Sequence, residues 1–370
     1  DAIRSLDRCI ELGGGNDESV LISRSISLSG LGQHDKALQS IEAAVKESPN
    51  SGYAHFVKGL LCVAAKKPTE ALTTFDEALK YANYQRDLIG TIQFNKGLVF
   101  LQMKKYQLAF DSCYLATKLR PQFPHYHEAA GLAKLYMGMY EESIEHFDQA
   151  LELDSTLELS HAYKGNALLM LNRNSKAVES FNRSLELKPD DPRILQSKGF
   201  ALVQLGHFQE AVEVYDRLFQ LCGEDRIWQF NLMKARCLAE IDRHQEALTC
   251  INKFMLKSES VEAFPLLFKM LILHKMKRHQ ECCDCADQLL TLEPKNAYAH
   301  YFKGVALGAL SRTEESRIFL HQAQDLIQAQ QKGKPEIANM MESFQPFIDK
   351  YTKLNTLESE QAPALSSNKP

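Results

Sequence analysis

Residues Lys176 to Pro192 read KAVESFNRSLELKPDDP, an amphipathic helix that stops at a proline. Near-copies begin at Thr69, TEALTTFDEALKYA, and at Glu141, EESIEHFDQALELD. In each copy a small residue (Ala71, Ser143, Ala177) precedes a phenylalanine (Phe75, Phe147, Phe181) by one helical turn, so both share a face. A chain that rewrites one helix at a fixed period is stacking a single supersecondary unit.

The small residue recurs as Ala2, Ala37, Ala71, Ala109, Ser143, Ala177, Ala211, Ala247, Cys282 and Ser316, at intervals of 34–38 residues. A second series runs twelve residues ahead of it: Ser25, Gly59, Gly97, Gly131, Gly165, Gly199, Ala235, Met270 and Gly304. Glycine inside a helix costs about 1 kcal/mol relative to alanine, so a recurring one implies close approach of a neighbouring helix. Short polar turns separate the two series: LGQHDKA at Leu31, LNRNSKA at Leu171, LGHFQEA at Leu205. Pro49, Pro121, Pro189 and Pro294 close many of the units. Each unit therefore reads as a helical hairpin whose apolar flanks only its neighbours can bury.

This period, with glycine early in the first helix, alanine and phenylalanine in the second and a closing proline, resembles the tetratricopeptide repeat. The resemblance implies an all-α fold, a right-handed superhelical α-solenoid of about nine hairpins with an N-terminal half repeat and a C-terminal capping helix. Residues 1–17 are then the second helix of a truncated repeat, and nine units fill 18–330, starting near 18, 52, 90, 124, 158, 192, 228, 263 and 297. Residues 331–357 are expected to form the capping helix and 358–370 a disordered tail. The unit at 263 departs from the pattern, with Met270 and Cys282 at its small positions. The step into the unit at 90 carries four extra residues, expected to lengthen a helix around KYANYQRDLIG.

Composition limits the function classes. The 370 residues are 45% hydrophobic and 24% charged, which is the balance of a folded soluble chain. A net charge of -4 gives no reason to expect nucleic acid or an anionic membrane as partner. No apolar run reaches the roughly 18–20 residues of a membrane span; the longest, Phe264 to Leu273, is broken by Pro265 and Lys269. Nine scattered cysteines point to free thiols and a cytoplasmic location. The start at Asp1, without Met or signal peptide, suggests an excerpt from a longer protein.

Only RHQECCDCADQ imitates a metal or redox site, with Cys282 and Cys285 at CxxC spacing and His279 nearby. A structural zinc site needs four ligands, no second Cys/His pair follows, and Cys282 already fills a small position, so core cysteines are expected. There is no phosphate loop, HExxH or GxSxG. No cofactor, no metal and no catalysis are expected of this segment.

In tetratricopeptide arrays the first helix of each hairpin lines a concave face, and the resemblance carries that role to specific positions here. They hold Tyr53, Phe56, Phe94, Leu98, Glu128, Asn166, Arg193, Gln196, Phe200, Arg236, Phe264, Leu267, Tyr298 and Tyr301, a mainly apolar and aromatic strip. Such a strip is either a groove for partner proteins or peptides or an extension of the core. The carboxylate clamp that grips chaperone tails does not fit, because its positions hold Ala162, Ser197, Gln229 and Met233 in one register and Phe56, Leu60, His125 and Ala129 in another. The asparagine ladder of the sugar-transferring relatives is reduced to Asn95. The leading reading is a scaffold that binds extended or helical protein segments. The alternatives are a substrate-recognition or regulatory arm of a larger enzyme, and a self-associating structural component.

Overall fold

The computed structural model describes residues 2–9, 17–258 and 262–330. The expected capping helix at 331–357 and tail at 358–370 lie outside them, as do residues 1 and 10–16 of the expected N-terminal half repeat. The described residues contain helices and no strand. First helices of the hairpins are α2 (Glu18–Gly30), α4 (Gly52–Ala64), α6 (Arg86–Gln102), α8 (Pro124–Tyr136), α10 (Glu158–Met170), α12 (Pro192–Gln204), α14 (Phe230–Glu240), α16 (Ala263–Lys275) and α18 (Ala297–Ala309). Second helices are α3 (His34–Glu47), α5 (Pro68–Tyr81), α7 (Tyr106–Leu119), α9 (Tyr140–Leu153), α11 (Asn174–Leu187), α13 (Phe208–Cys222), α15 (His244–Lys257), α17 (His279–Leu292) and α19 (Thr313–Gln330), with α1 (Ala2–Cys9) ahead of them. This is an all-α solenoid. It divides into two compact bodies, residues 1–197 and 198–370, at a boundary inside α12.

In the first body each helix packs on the next, and first helices also touch one another, α2 on α4, α4 on α6, α6 on α8 and α8 on α10. In the second body α16 and α18 do the same. In the first body the first helices α2 to α10 thus form a continuous layer. The four extra residues lengthen α6 at its N-terminus, giving 17 residues where other first helices have 11 to 13. Two further extra residues, before the unit at 228, fall in the turn between α13 and α14.

The turn inside every hairpin has one solution. The residues at 32, 66, 104, 138, 172, 206, 242, 277 and 311 all have positive φ, 56–77°. After α2, Gln33 N–H bonds to the Leu28 carbonyl and Gly32 N–H to that of Ser29, and the same pair of bonds closes the other eight turns. This is the Schellman stop, which satisfies carbonyls that the helix end leaves open. Only Gly32, Gly138 and Gly206 enter this conformation freely; Lys66, Lys104 and Lys277 do so with a steric cost.

The small-residue series marks the contact inside each hairpin. A methyl group on Gly165 would lie 2.6 Å from Cε1 of Phe181, and one on Gly131 2.9 Å from Cε1 of Phe147; Gly59 meets Phe75 in the same way. Those three phenylalanines are fully buried. The departure at 263 follows the same logic reversed. Met270 stands where others have glycine, and Ala286 stands sixteen residues on, where others have Phe75, Phe147 or Phe181; both are fully buried. Volume is exchanged across the pair, not lost.

Between hairpins, a basic residue of a first helix reaches back to an acid on the preceding second helix. The pairs are Arg24–Asp7 (2.7 Å), Lys58–Glu42 (3.5 Å), Lys96–Asp76 and Lys164–Asp148 (2.5 Å) in the first body, and Lys234–Asp216 and Lys303–Asp287 in the second. Exposed ion pairs contribute at most about 1 kcal/mol each, so this ladder fixes register more than it stabilises.

Candidate partner-binding faces

The fourteen sequence-selected residues sit on first helices in both bodies. In the first body, Tyr53 is exposed (52%) on the first turn of α4, whereas Phe56, three residues on, is buried (8%) against Phe75 with ring centroids 6.1 Å apart. Phe56 therefore belongs to the hairpin core, which corrects its expected place on an open strip. Phe94 and Leu98 on α6 are half-buried around the cluster formed by Leu101, Ala129 and Leu132. The Phe94 ring stacks 4.7 Å from buried Tyr126, whose hydroxyl lies 3.3 Å from Oγ1 of Thr91. Arg120 covers Phe123, itself stacked on Tyr126, at 3.8 Å and pairs with Asp87 at 3.1 Å. The aromatic wall is pinned from behind, so Phe94 presents a fixed edge.

Polar groups interrupt this face sparingly. Glu128 is also buried (8%), and its Oε2 accepts from Ser160 Oγ at 2.7 Å. Burial is the main influence on its carboxyl, pushing the pKa up from 4.5, with the Ser160 hydroxyl pulling the other way. Tyr163 on α10 is half-buried, and burial likewise pushes its phenol up. Exposed Arg193 folds back on buried Asp191, with Nη2–Oδ2 at 3.1 Å and Nε–Oδ1 at 3.3 Å. Asn166 and Gln196 are half-buried. Asn95 donates to the Thr91 carbonyl of its own helix at 2.8 Å.

The raised Glu128 pKa has a signed consequence. A carboxyl whose folded pKa exceeds its unfolded value costs stability when ionised, and the cost vanishes as pH falls through the folded value toward 4.5. Glu128→Gln keeps an acceptor for Ser160 without the charge. It is expected to stabilise the chain by roughly 1 kcal/mol at pH 7, with the gain disappearing near pH 4. Denaturant melts of both proteins at the two pH values check this; an equal gain at both would remove ionisation as the cause.

In the second body the strip comprises Phe200, Arg236, Phe264, Leu267, Tyr298 and Tyr301, all half-buried. Phe264 stacks on Phe268 at 6.4 Å, and Tyr301 meets Phe302 edge-on at 5.4 Å. Arg236 is the one charged member, and its Nη1 is buried with no hydrogen-bond partner. An open cavity of about 500 Å³ elsewhere in this body is lined by Asp216, Lys234, Glu224 and Lys253, whose charges are already paired.

The cysteine stretch lies on α17. Cys282, Cys283 and Cys285 are buried, and the thiols of Cys282 and Cys285 lie 3.6 Å and 3.3 Å from the carbonyls of Met270 and Leu266. Burial pushes Cys282 up to about 12 and Cys285 to about 11, as for thiols packed in an apolar core.

A histidine register escaped the sequence reading. Nε2–H of His55, His127, His161 and His300 donates to the carbonyl six residues earlier, Pro49, Pro121, Ser155 and Pro294, at 2.9–3.2 Å. Aligning the units by position, instead of scanning histidines along the chain, places all four at the fourth residue of a hairpin. They tie the turn between hairpins. Asn231 occupies that place in the hairpin of α14 and α15, and both its amide atoms are buried and unpartnered.

Two family models described as tetratricopeptide repeat match the sequence, one over residues 23–87 and 128–192, the other over 192–225. The chain carries tetratricopeptide repeats over these residues. The C-terminal part of a TPR repeat-containing protein from Cytophaga hutchinsonii is similar in structure, with a TM-score of 0.54, 15% identity, and coverage of 65% of this chain and 96% of that one. A tetratricopeptide repeat protein from Parabacteroides merdae gives 0.48 at 15% identity over 69% of this chain and 98% of that one. YrrB, a TPR protein with an unusual peptide-binding site, gives 0.44 at 20% identity over 52% and 97%. At such identities the likeness is one of fold. No curated protein matches the sequence significantly. Among the described residues, no helix is long and apolar enough to cross a membrane.

Proposed function

We propose that the chain is a protein–protein interaction scaffold that docks extended or helical segments of partner proteins on the first-helix faces of its hairpins. The carrying observation is the half-buried aromatic and aliphatic strip, with Phe94 and Leu98 in one body and Phe264, Leu267 and Tyr301 in the other. Each side chain is fixed by packing behind it and keeps an edge in solvent, which is how anchor pockets are built at low ordering cost. The proposal assigns no chemistry to the strip, because Glu128 is held by Ser160, Arg193 by Asp191, and no two strip residues are arranged as nucleophile and base.

A display library of random 12-residue peptides, selected on the full chain, tests this. Tyr53→Arg and Tyr301→Arg are expected to weaken the selected peptides at least tenfold, according to the body each peptide uses. Tyr53→Arg should leave helical dichroism unchanged and shift stability by no more than about 0.5 kcal/mol, as exposed positions do. Peptides that bind both variants as tightly as the parent would move the docking surface off the first helices.

A further inference from the structure

Arg236 differs from several cations close to it in sequence in the second body, which are paired. Lys234, two residues earlier, pairs with Asp216, and Arg243 and Arg278 hold Glu246 and Glu281 at 2.6–2.7 Å. Arg236 has no ion pair among the described residues, not even with Glu240 one turn further along α14. Nor is it a surface arginine waving in water. It is half-buried between fully buried Ala235 and Cys237, its Nη1 is sealed from solvent without an acceptor, and its charge is felt by the buried Tyr215 phenol and Cys237 thiol. A buried, unmatched charged donor is costly, and it is retained where something outside the chain completes it.

The geometry points to a specific occupant: we infer that the first-helix face of the second body binds a peptide segment in which an aspartate or glutamate side chain, flanked by apolar residues, is received by the Arg236 guanidinium. This rests on the docking role proposed above and names the chemistry of its ligand. The complement is a carboxylate because the guanidinium fork matches two carboxylate oxygens. A nucleic-acid phosphate run is disfavoured because the strip carries a single cation. The acid is internal to the segment because apolar groups precede and follow Arg236 along the strip, Phe200 on α12 before it and Phe264 and Leu267 on α16 after it.

The test uses the same display library, whose peptides are fused at their C-termini and so offer no terminal carboxylate. Peptides whose binding is lost in Tyr301→Arg are synthesised with the acidic residue intact or changed to its amide, and their affinities are measured for the parent chain, Arg236→Gln and Arg236→Lys. The expected result is an internal acid between apolar residues in the selected peptides. Its amide form should bind the parent roughly 10–100-fold more weakly but Arg236→Gln less than threefold more weakly, because truncating one member of a desolvated charge pair weakens binding by that order. Arg236→Lys, which keeps the charge and loses the fork, should recover part of the preference and also serves if the glutamine variant does not fold. Tight peptides that lack an acid, or an amide penalty that persists in Arg236→Gln, would overturn the assignment while leaving the docking role standing. No selected peptide sensitive to Tyr301→Arg would end both for this body.

Discussion

Gly165→Met is expected to destabilise the first body by about 1–2 kcal/mol, and adding Phe181→Ala to recover most of that loss. The first half follows from geometry. A single methyl at residue 165 already lies 2.6 Å from Phe181 Cε1, and the ring is fully enclosed. The helix-propensity gain of about 1 kcal/mol on replacing glycine is smaller than the usual cost of overpacking a tight core, about 1–3 kcal/mol for extra methylenes. The second half follows from the chain itself, which already contains the exchanged pair as Met270 and Ala286. Phe181→Ala alone should cost about 3–5 kcal/mol through its cavity, and the methionine should refill it. A double-mutant cycle read by urea denaturation should give a coupling energy of about 4–6 kcal/mol, because the double variant stays near the parent while the single losses sum to about 4–7. Strict additivity of the two single changes would show that the hairpins are not held by volume exchange across this contact.

That exchange illustrates what was legible in the residues alone. The period, the hairpin and its tight contact could be read because each is a local pattern copied many times, and copying cancels the noise of any one unit. Met270 looked like a departure because only its own ladder was followed; sixteen residues on, Ala286 supplies the missing half. The lengthening of α6 was readable from the phase slip at 90, while the slip at 228 went into a turn, a choice that phase alone does not make. The left-handed residue in each turn had a signal at Gly32, Gly138 and Gly206 and a weaker one at Asn172 and Asp242, whereas the same bonds force Lys66, Lys104 and Lys277 into it without any sequence mark. For the binding strip, the sequence placed all fourteen residues on first helices but could not rank their exposure. That depends on how closely a neighbouring helix covers each position. The isolation of Arg236 is likewise a property of where carboxylates are not, and needs coordinates.

Phe56→Arg should unfold the hairpin formed by α4 and α5, while Tyr53→Arg should not, although both positions were read as lining one strip. The phenylalanine is 8% exposed and tilts against Phe75, the ring that occupies the space left by Gly59. A guanidinium there loses the buried ring, worth about 3–5 kcal/mol, and must either stay unpaired in an apolar core or drag its helix outward. In a stacked array such a defect spreads, because each hairpin depends on its neighbours to bury its apolar flanks. Loss of helical signal well below the parent's melting temperature is therefore expected for Phe56→Arg, together with faster hydrogen exchange in α3 to α6. Tyr53, at 52% exposure, leaves room for the arginine to reach water. The difference decides how a binding experiment is read. A partner lost with Phe56→Arg reports an unfolded hairpin, and only loss with Tyr53→Arg on an intact melt places the partner on the α4 face. If Phe56→Arg instead melts as the parent does, the ring is not needed by the core, and residue 56 returns to the docking strip.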